Sequence, residues 1–152
     1  MQKHLISGLS TALLLVLHPT LHAAPCGTGA PLNKAQILTL LQGKRVYAVS
    51  PGGEDWKEDH CASGELYKVG DPSNSAVDPR ALRGSWSVSE DVLSLPGGSL
   101  TLGKISYTYT NASSSTTYSF YVIQDGSTYK LCSTGMPPQL VANITNITAG
   151  GC

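Results

Sequence analysis

Seven consecutive residues, Glu54-Asp55-Trp56-Lys57-Glu58-Asp59-His60, hold four of the chain's ten acidic side chains together with a histidine. Three kinds of chemistry could use them. A Ca²⁺ site gathers oxygens from alternating acids in a glycine-bent loop. Here the acids come as two adjacent pairs, so no metal is expected. A hydrolase would use Glu58 or Asp59 as general acid or base against a carboxylate from elsewhere in the fold. The plainest reading is a solvated acidic loop pinned by Trp56, and it is the one the sequence favours. His60 beside Cys61 does not make a nucleophile and base, because neighbours on a strand point to opposite faces and an oxidised cysteine cannot attack. Beyond residue 23 there is no Gly-x-Ser-x-Gly elbow and no glycine loop of the kind that cradles phosphate. No catalytic residue and no cofactor is therefore assigned.

The tyrosines offer binding chemistry. Tyr107, Tyr109, Tyr118, Tyr121 and Tyr129 lie on three consecutive strand-like segments. Aromatic rings on a curved sheet stack on sugars or anchor a protein partner. They also serve as cross-strand packing pairs. Trp56, Glu58, His60, Tyr107, Tyr109 and Tyr121 are the candidate binding residues.

These residues need a scaffold, and its elements can be read locally. Asn33 with Gln36 three residues later forms a capping-box pattern, Leu32 can staple to Ile37, and Gly43 supplies the stop. One short helix is predicted over about 33–42. Thereafter the period is two. Strands are predicted at 44–50, 64–70, 84–89, 92–95, 99–102, 104–110, 117–124 and 128–133. Asp71–Arg83, with two Asp-Pro pairs, reads as a long loop. The fold expectation is mainly β (α+β): the helix packs on a curled antiparallel meander of six to seven strands, a half-barrel or sandwich tied by disulfides.

Residues 1–23 have a basic start (Lys3), an apolar middle (Ala12–Leu17) and a small-residue end, the pattern of a secretory signal peptide. The apolar run is interrupted by His18 and Pro19 and is too short to span a bilayer. Its removal takes Lys3, His4, His18 and His22, so ten Lys/Arg become nine and four histidines become His60 alone. Nine bases against ten acids leave no basic stripe, and nucleic acid is not an expected partner. No later segment reads as a membrane span. Residues 24–135 are expected to form one β-rich domain, with 136–152 an extended tail. Cys26, Cys61, Cys132 and Cys152 are an even set in an exported chain, so two bridges are expected, each adding about 2–4 kcal/mol. Three pairings are open; the sequence leans toward Cys26–Cys61 and Cys132–Cys152.

Taken in order, Trp56–His60, Gly64, Val77-Asp78-Pro79, Gly84-Ser85-Trp86-Ser87-Val88, Tyr107-Thr108-Tyr109, Tyr118-Ser119-Phe120 and Tyr129-Lys130-Leu131-Cys132 resemble small exported proteobacterial proteins of no assigned activity. The resemblance covers about residues 36–132 and implies localisation and fold without chemistry. Gly84-Ser85-Trp86 is also similar to the Gly-x-Trp of lipocalin- and avidin-like barrels, a likeness of shape only.

The functional expectation is a periplasmic or secreted binding module without catalysis, recognising a protein or glycan, with a hydrolase inhibitor as one version. The alternatives are a small carboxylate-dependent hydrolase and a structural component of an envelope assembly.

Overall fold

A computed structural model describes residues 24–70 and 80–152. The expected leader (1–23) and most of the loop carrying both Asp-Pro pairs (71–79) lie outside the described residues. In chain order the elements are β1 (Ala30–Pro31), α1 (Lys34–Leu41), β2 (Lys44–Val49), β3 (Asp55–His60), β4 (Glu65–Lys68), β5 (Ala81–Leu95), β6 (Gly98–Thr110), β7 (Ser115–Asp125), β8 (Thr128–Ser133) and β9 (Leu140–Ala149).

The helix forms where its caps predict. Asn33 Oδ1 accepts from the Gln36 amide and Gln36 Oε1 accepts from the Asn33 amide, each at 2.9 Å. Leu32, Ile37 and Leu41 are buried in one core cluster with residues of the strands, so this short helix is held by packing more than by propensity.

The strands do not form a half-barrel or sandwich, as the sequence suggested, but a closed antiparallel barrel. Strands β2 to β9 run round in the order β7-β6-β5-β4-β3-β2-β9-β8, and β8 returns to β7 through the pairing of Phe120–Asp125 with Thr128–Ser133. Closure removes the free edges an open meander would present. It depends on β9, which pairs with β2 on one side and β8 on the other. Residues 136–152 are thus not a tail over most of their length. Their inward Ala142, Ile144 and Ile147 were hidden by a bulge opposite Tyr47 and Ala48 that breaks the period of two.

Two pairs of expected short strands fuse. Residues 84–95 belong to one 15-residue strand and 98–110 to one of 13. Gly103 looked like a break. A Cβ there would lie 2.6 Å from Ile37 Cδ1 and 2.7 Å from the Asn33 carbonyl carbon, so the glycine marks where the start of α1 sits on β6. On the N-terminal side of Lys104, β6 leaves β7, and the gap is filled by β1 and Leu32, whose amide donates to the Val122 carbonyl and whose carbonyl accepts from the Gly103 amide.

The interior is filled by Val46, Ala48, Leu66, Trp86, Ile105, Tyr107, Val122, Leu131, Ala142 and Ile144, with Ile37 and Leu41 plugging one end. A second, smaller cluster lies outside the wall. Tyr121, Ile123 and Leu102 are covered there by Cys26 and Cys132 and flanked by Leu93 and Leu140. All four cysteines are oxidised, but the bridges are Cys26–Cys132 and Cys61–Cys152, not the pairing the sequence favoured. Both long loops are worth about 4.7 kcal/mol in the chain-entropy picture, only about 1 kcal/mol more than short ones, so loop entropy does not select the pairing. Barrel closure does, by bringing β8 under the N-terminal segment and the C-terminus beside β3. Among the described residues no helix is long and apolar enough to cross a membrane.

Candidate functional site

The acidic run is not a solvated loop. It is β3, a barrel strand flanked by β2 and β4, and its last three residues are buried although all are polar or charged. Alternation sends them to opposite sides of the wall. Trp56, Glu58 and His60 pair with Ala48, Val46 and Lys44 on the inward-facing register, whereas Asp59 pairs with Arg45 and Tyr67 on the outer one.

The outward carboxylate is the simpler case. Asp59 accepts from Arg45 Nε at 2.8 Å and Nη2 at 3.2 Å, and from Arg80 Nε at 3.0 Å. Arg80 also stacks on Tyr67, its guanidinium 3.8 Å from the ring centre. Burial works to raise the Asp59 pKa, but the two guanidiniums and the Gly151 amide outweigh it and hold the group below the ordinary carboxylate range. A Cβ on Gly151 would lie 2.8 Å from Asp59 Oδ2, so the C-terminal glycine is what lets the strap fixed by Cys61–Cys152 lie across this ion pair. Asp59 is structural.

The inward pair is different. Tyr109 donates to Glu58 Oε2 at 3.1 Å, and the Tyr107 hydroxyl lies 3.0 Å from His60 Nε2. Tyr107 and Tyr109 are stacked, their ring centres 6.3 Å apart, and Tyr109 meets Tyr118 edge-on at 6.0 Å. A polar column therefore climbs the interior from His60 and Tyr107 to Glu58, Tyr109 and Tyr118 at the end away from α1. His60 is the deepest member, T-shaped against Trp86 at 5.1 Å. The Trp86 indole itself donates to the Cys61 carbonyl at 2.9 Å.

Burial governs the charges in this column. It raises the Glu58 pKa to about 7, against the opposing pull of the Tyr109 hydroxyl and the Arg83 charge. It lowers His60 to about 4. The Glu58 carbonyl and the Asp59 charge act the other way on the imidazole without prevailing, and the carbonyl completes no hydrogen bond to Nδ1. Burial, reinforced by Glu58, also raises both phenols, so Tyr107 and Tyr109 stay protonated. Either imidazole tautomer leaves one polar hydrogen over. It is Nδ1–H when the phenol donates and the phenol's own hydrogen when Nε2–H does.

Five of the six residues singled out from sequence share this interior: Trp56, Glu58, His60, Tyr107 and Tyr109. Tyr121 does not. It lies on the outer face of β7 and donates to Asp91 at 2.9 Å, a carboxylate that Lys104 also reaches at 3.2 Å. Tyr107 and Tyr109 do not present a flat aromatic face either, because closure turns them inward. The column opens at the far end into a depression of about 340 Å³ lined by Arg83, Tyr109, Thr110, Asn111, Thr116 and Tyr118. Arg83 and Tyr118 were not among the chosen site residues. Hairpin register could have found Tyr118, which pairs directly with Tyr107 across β6 and β7. Nothing local marks Arg83.

Chemically this end can stack and hydrogen-bond. Tyr118 is 50 % exposed and Glu58 only 7 %, so a ligand would meet an aromatic ring first and a protonatable carboxyl behind it. A carboxylate hydrolase needs a second acid facing the first, and none lines this end among the described residues. Nor do the described residues contain a cluster of histidine, cysteine or acidic side chains able to hold a metal.

Compared with protein-family models, curated proteins and solved structures, the chain matches none.

Proposed function

We propose that this protein is an extracytoplasmic binding module that takes a glycan at the tyrosine end of its barrel. One observation carries the reading: the half-exposed ring of Tyr118 stands edge-on to Tyr109, whose hydroxyl is bound to Glu58, with Arg83 and Asn111 on the same rim. A sugar ring stacks on an aromatic face while its hydroxyls use neighbouring polar groups, and this rim supplies both at once. The leader pattern of residues 1–23 and the two disulfides support a site of action outside the cytosol.

The test is a glycan array followed by titration of the best hits with wild type and Tyr118→Ala. Tyr118 is exposed, so the substitution leaves the core intact. Retention of a glycan that Tyr118→Ala binds at least about tenfold more weakly is the expected result. A blank array, or hits indifferent to Tyr118, would count against the glycan reading.

A second reading, protein recognition as in a hydrolase inhibitor, has its own observation. The β5–β6 hairpin runs on past the barrel and exposes Val92, Leu95 and Leu100, apolar side chains of the kind that anchor protein contacts. Affinity capture from envelope extract, lost in a Val92→Ser/Leu95→Ser variant, would favour it.

A further inference from the structure

The barrel has another end, and α1 covers only part of it. The helix packs against β2, β5 and β6. Its opposite flank faces a groove of about 670 Å³, within the range of small-molecule sites, which recur at the mouths of β-barrels. The floor of the groove is the barrel interior continued outward. Ile147 pairs with the inward Val46, Ala149 with Lys44, and Gln124 with Tyr129. Strand alternation therefore aims these side chains at the lumen, at positions that would be core if anything covered them. Leu32 and Leu40 supply the helix side.

The charge pattern is one-sided. Among the described residues no acidic side chain lines the groove, and Lys44 is the one cation that does. Lys44 is exposed and, among the described residues, makes no ion pair. The groove is mixed, with Gln36, Thr39, Gln124 and Thr148 beside an apolar strip of Leu32, Leu40 and Ile147, and that strip with one unpaired ammonium at the rim fits an aliphatic chain carrying one negative head. The chain would lie on Ile147, Leu40 and Leu32, and the head would meet Lys44 in water-accessible space, where neither charge need be buried.

The geometry points to a binding site for a single-chain aliphatic carboxylate, the class of the free fatty acids, in the groove between α1 and the β7–β8–β9–β2 side of the barrel. This site is independent of the tyrosine end and stands or falls without it.

Isothermal titration of the oxidised protein with sodium dodecanoate below its micellar concentration tests the assignment. One-to-one binding is expected, about tenfold weaker for dodecylamine and for Lys44→Gln. Ala149→Trp fills the groove from the exposed end of β9 and Ala35→Trp from the exposed flank of α1; either should abolish binding, with the circular dichroism spectrum unchanged as the check on folding. Three results would overturn the site: no dodecanoate binding, binding that both tryptophan variants retain, or binding only to vesicles of anionic phospholipid.

Discussion

Glu58 and His60 sit in one barrel interior and titrate in opposite senses, which makes the pH dependence of stability a sharp test of the buried column. Burial raises Glu58 in the folded state from 4.5 to about 7. A raised folded pKa contributes stability that is fully present below the unfolded value and is lost as pH climbs through the folded one. Burial lowers His60 from 6.5 to about 4. That contribution is present above the unfolded value and is lost as pH falls through the folded one. Each is worth about 3 kcal/mol between its limits. Between about pH 5.5 and about pH 8, Glu58 takes away about 2 kcal/mol while His60 returns about 1 kcal/mol. The two nearly cancel, and their net contribution to wild-type stability is almost flat across neutrality. Glu58→Gln keeps an acceptor for Tyr109 and removes the acid, so it unmasks His60. Urea unfolding at both pH values should find wild type minus Glu58→Gln larger by about 2 kcal/mol at the lower pH. His60→Gln should move the corresponding gap by about 1 kcal/mol the other way. The groups facing Glu58 are Tyr109, Arg83 and Tyr107, and those facing His60 are Tyr107, Asp59 and the Glu58 backbone. Burial keeps both phenols protonated and the two guanidiniums keep Asp59 ionised over this range, so none of these mimics the effect. A Glu58→Gln gap that stays constant with pH would refute the reasoning, because it would place Glu58 in water.

Three further outcomes follow from the packing. Asp59→Asn removes the charge that two arginines share; the arginines are part-exposed and can rehydrate, so the cost should be about 2 kcal/mol, below that of a fully buried pair, and should be read by the same unfolding assay. Gly103→Ala puts a methyl group against Ile37 and the Asn33 backbone and should cost about 2 kcal/mol by displacing α1, with loss of native-like protection of the helix amides in hydrogen exchange. Peptide mapping without reduction should link Cys26 to Cys132 and Cys61 to Cys152. In stepwise reduction the bridge with exposed Cys152 should open before the fully covered Cys26–Cys132 pair.

Local sequence alone determined α1, through Asn33 and Gln36, and the strands whose faces alternate cleanly, such as β6 with Ile105, Tyr107 and Tyr109 inward. It also determined that the cysteines would be oxidised, since their number and the leader pattern need no fold. Tertiary structure decided the rest. β3 reads as a loop because five of its six residues are charged or histidine. It becomes a wall strand only because Tyr107 and Tyr109 arrive from β6 to meet His60 and Glu58, while Arg45 and Arg80 neutralise Asp59 outside. The disulfide pairing and the ninth strand were equally hidden, since both express barrel closure, a contact between chain ends far apart in sequence. Alternation and capping act over a few residues and can be read one segment at a time. The burial of a charge depends on which distant partner reaches it, and no short window of sequence contains that partner.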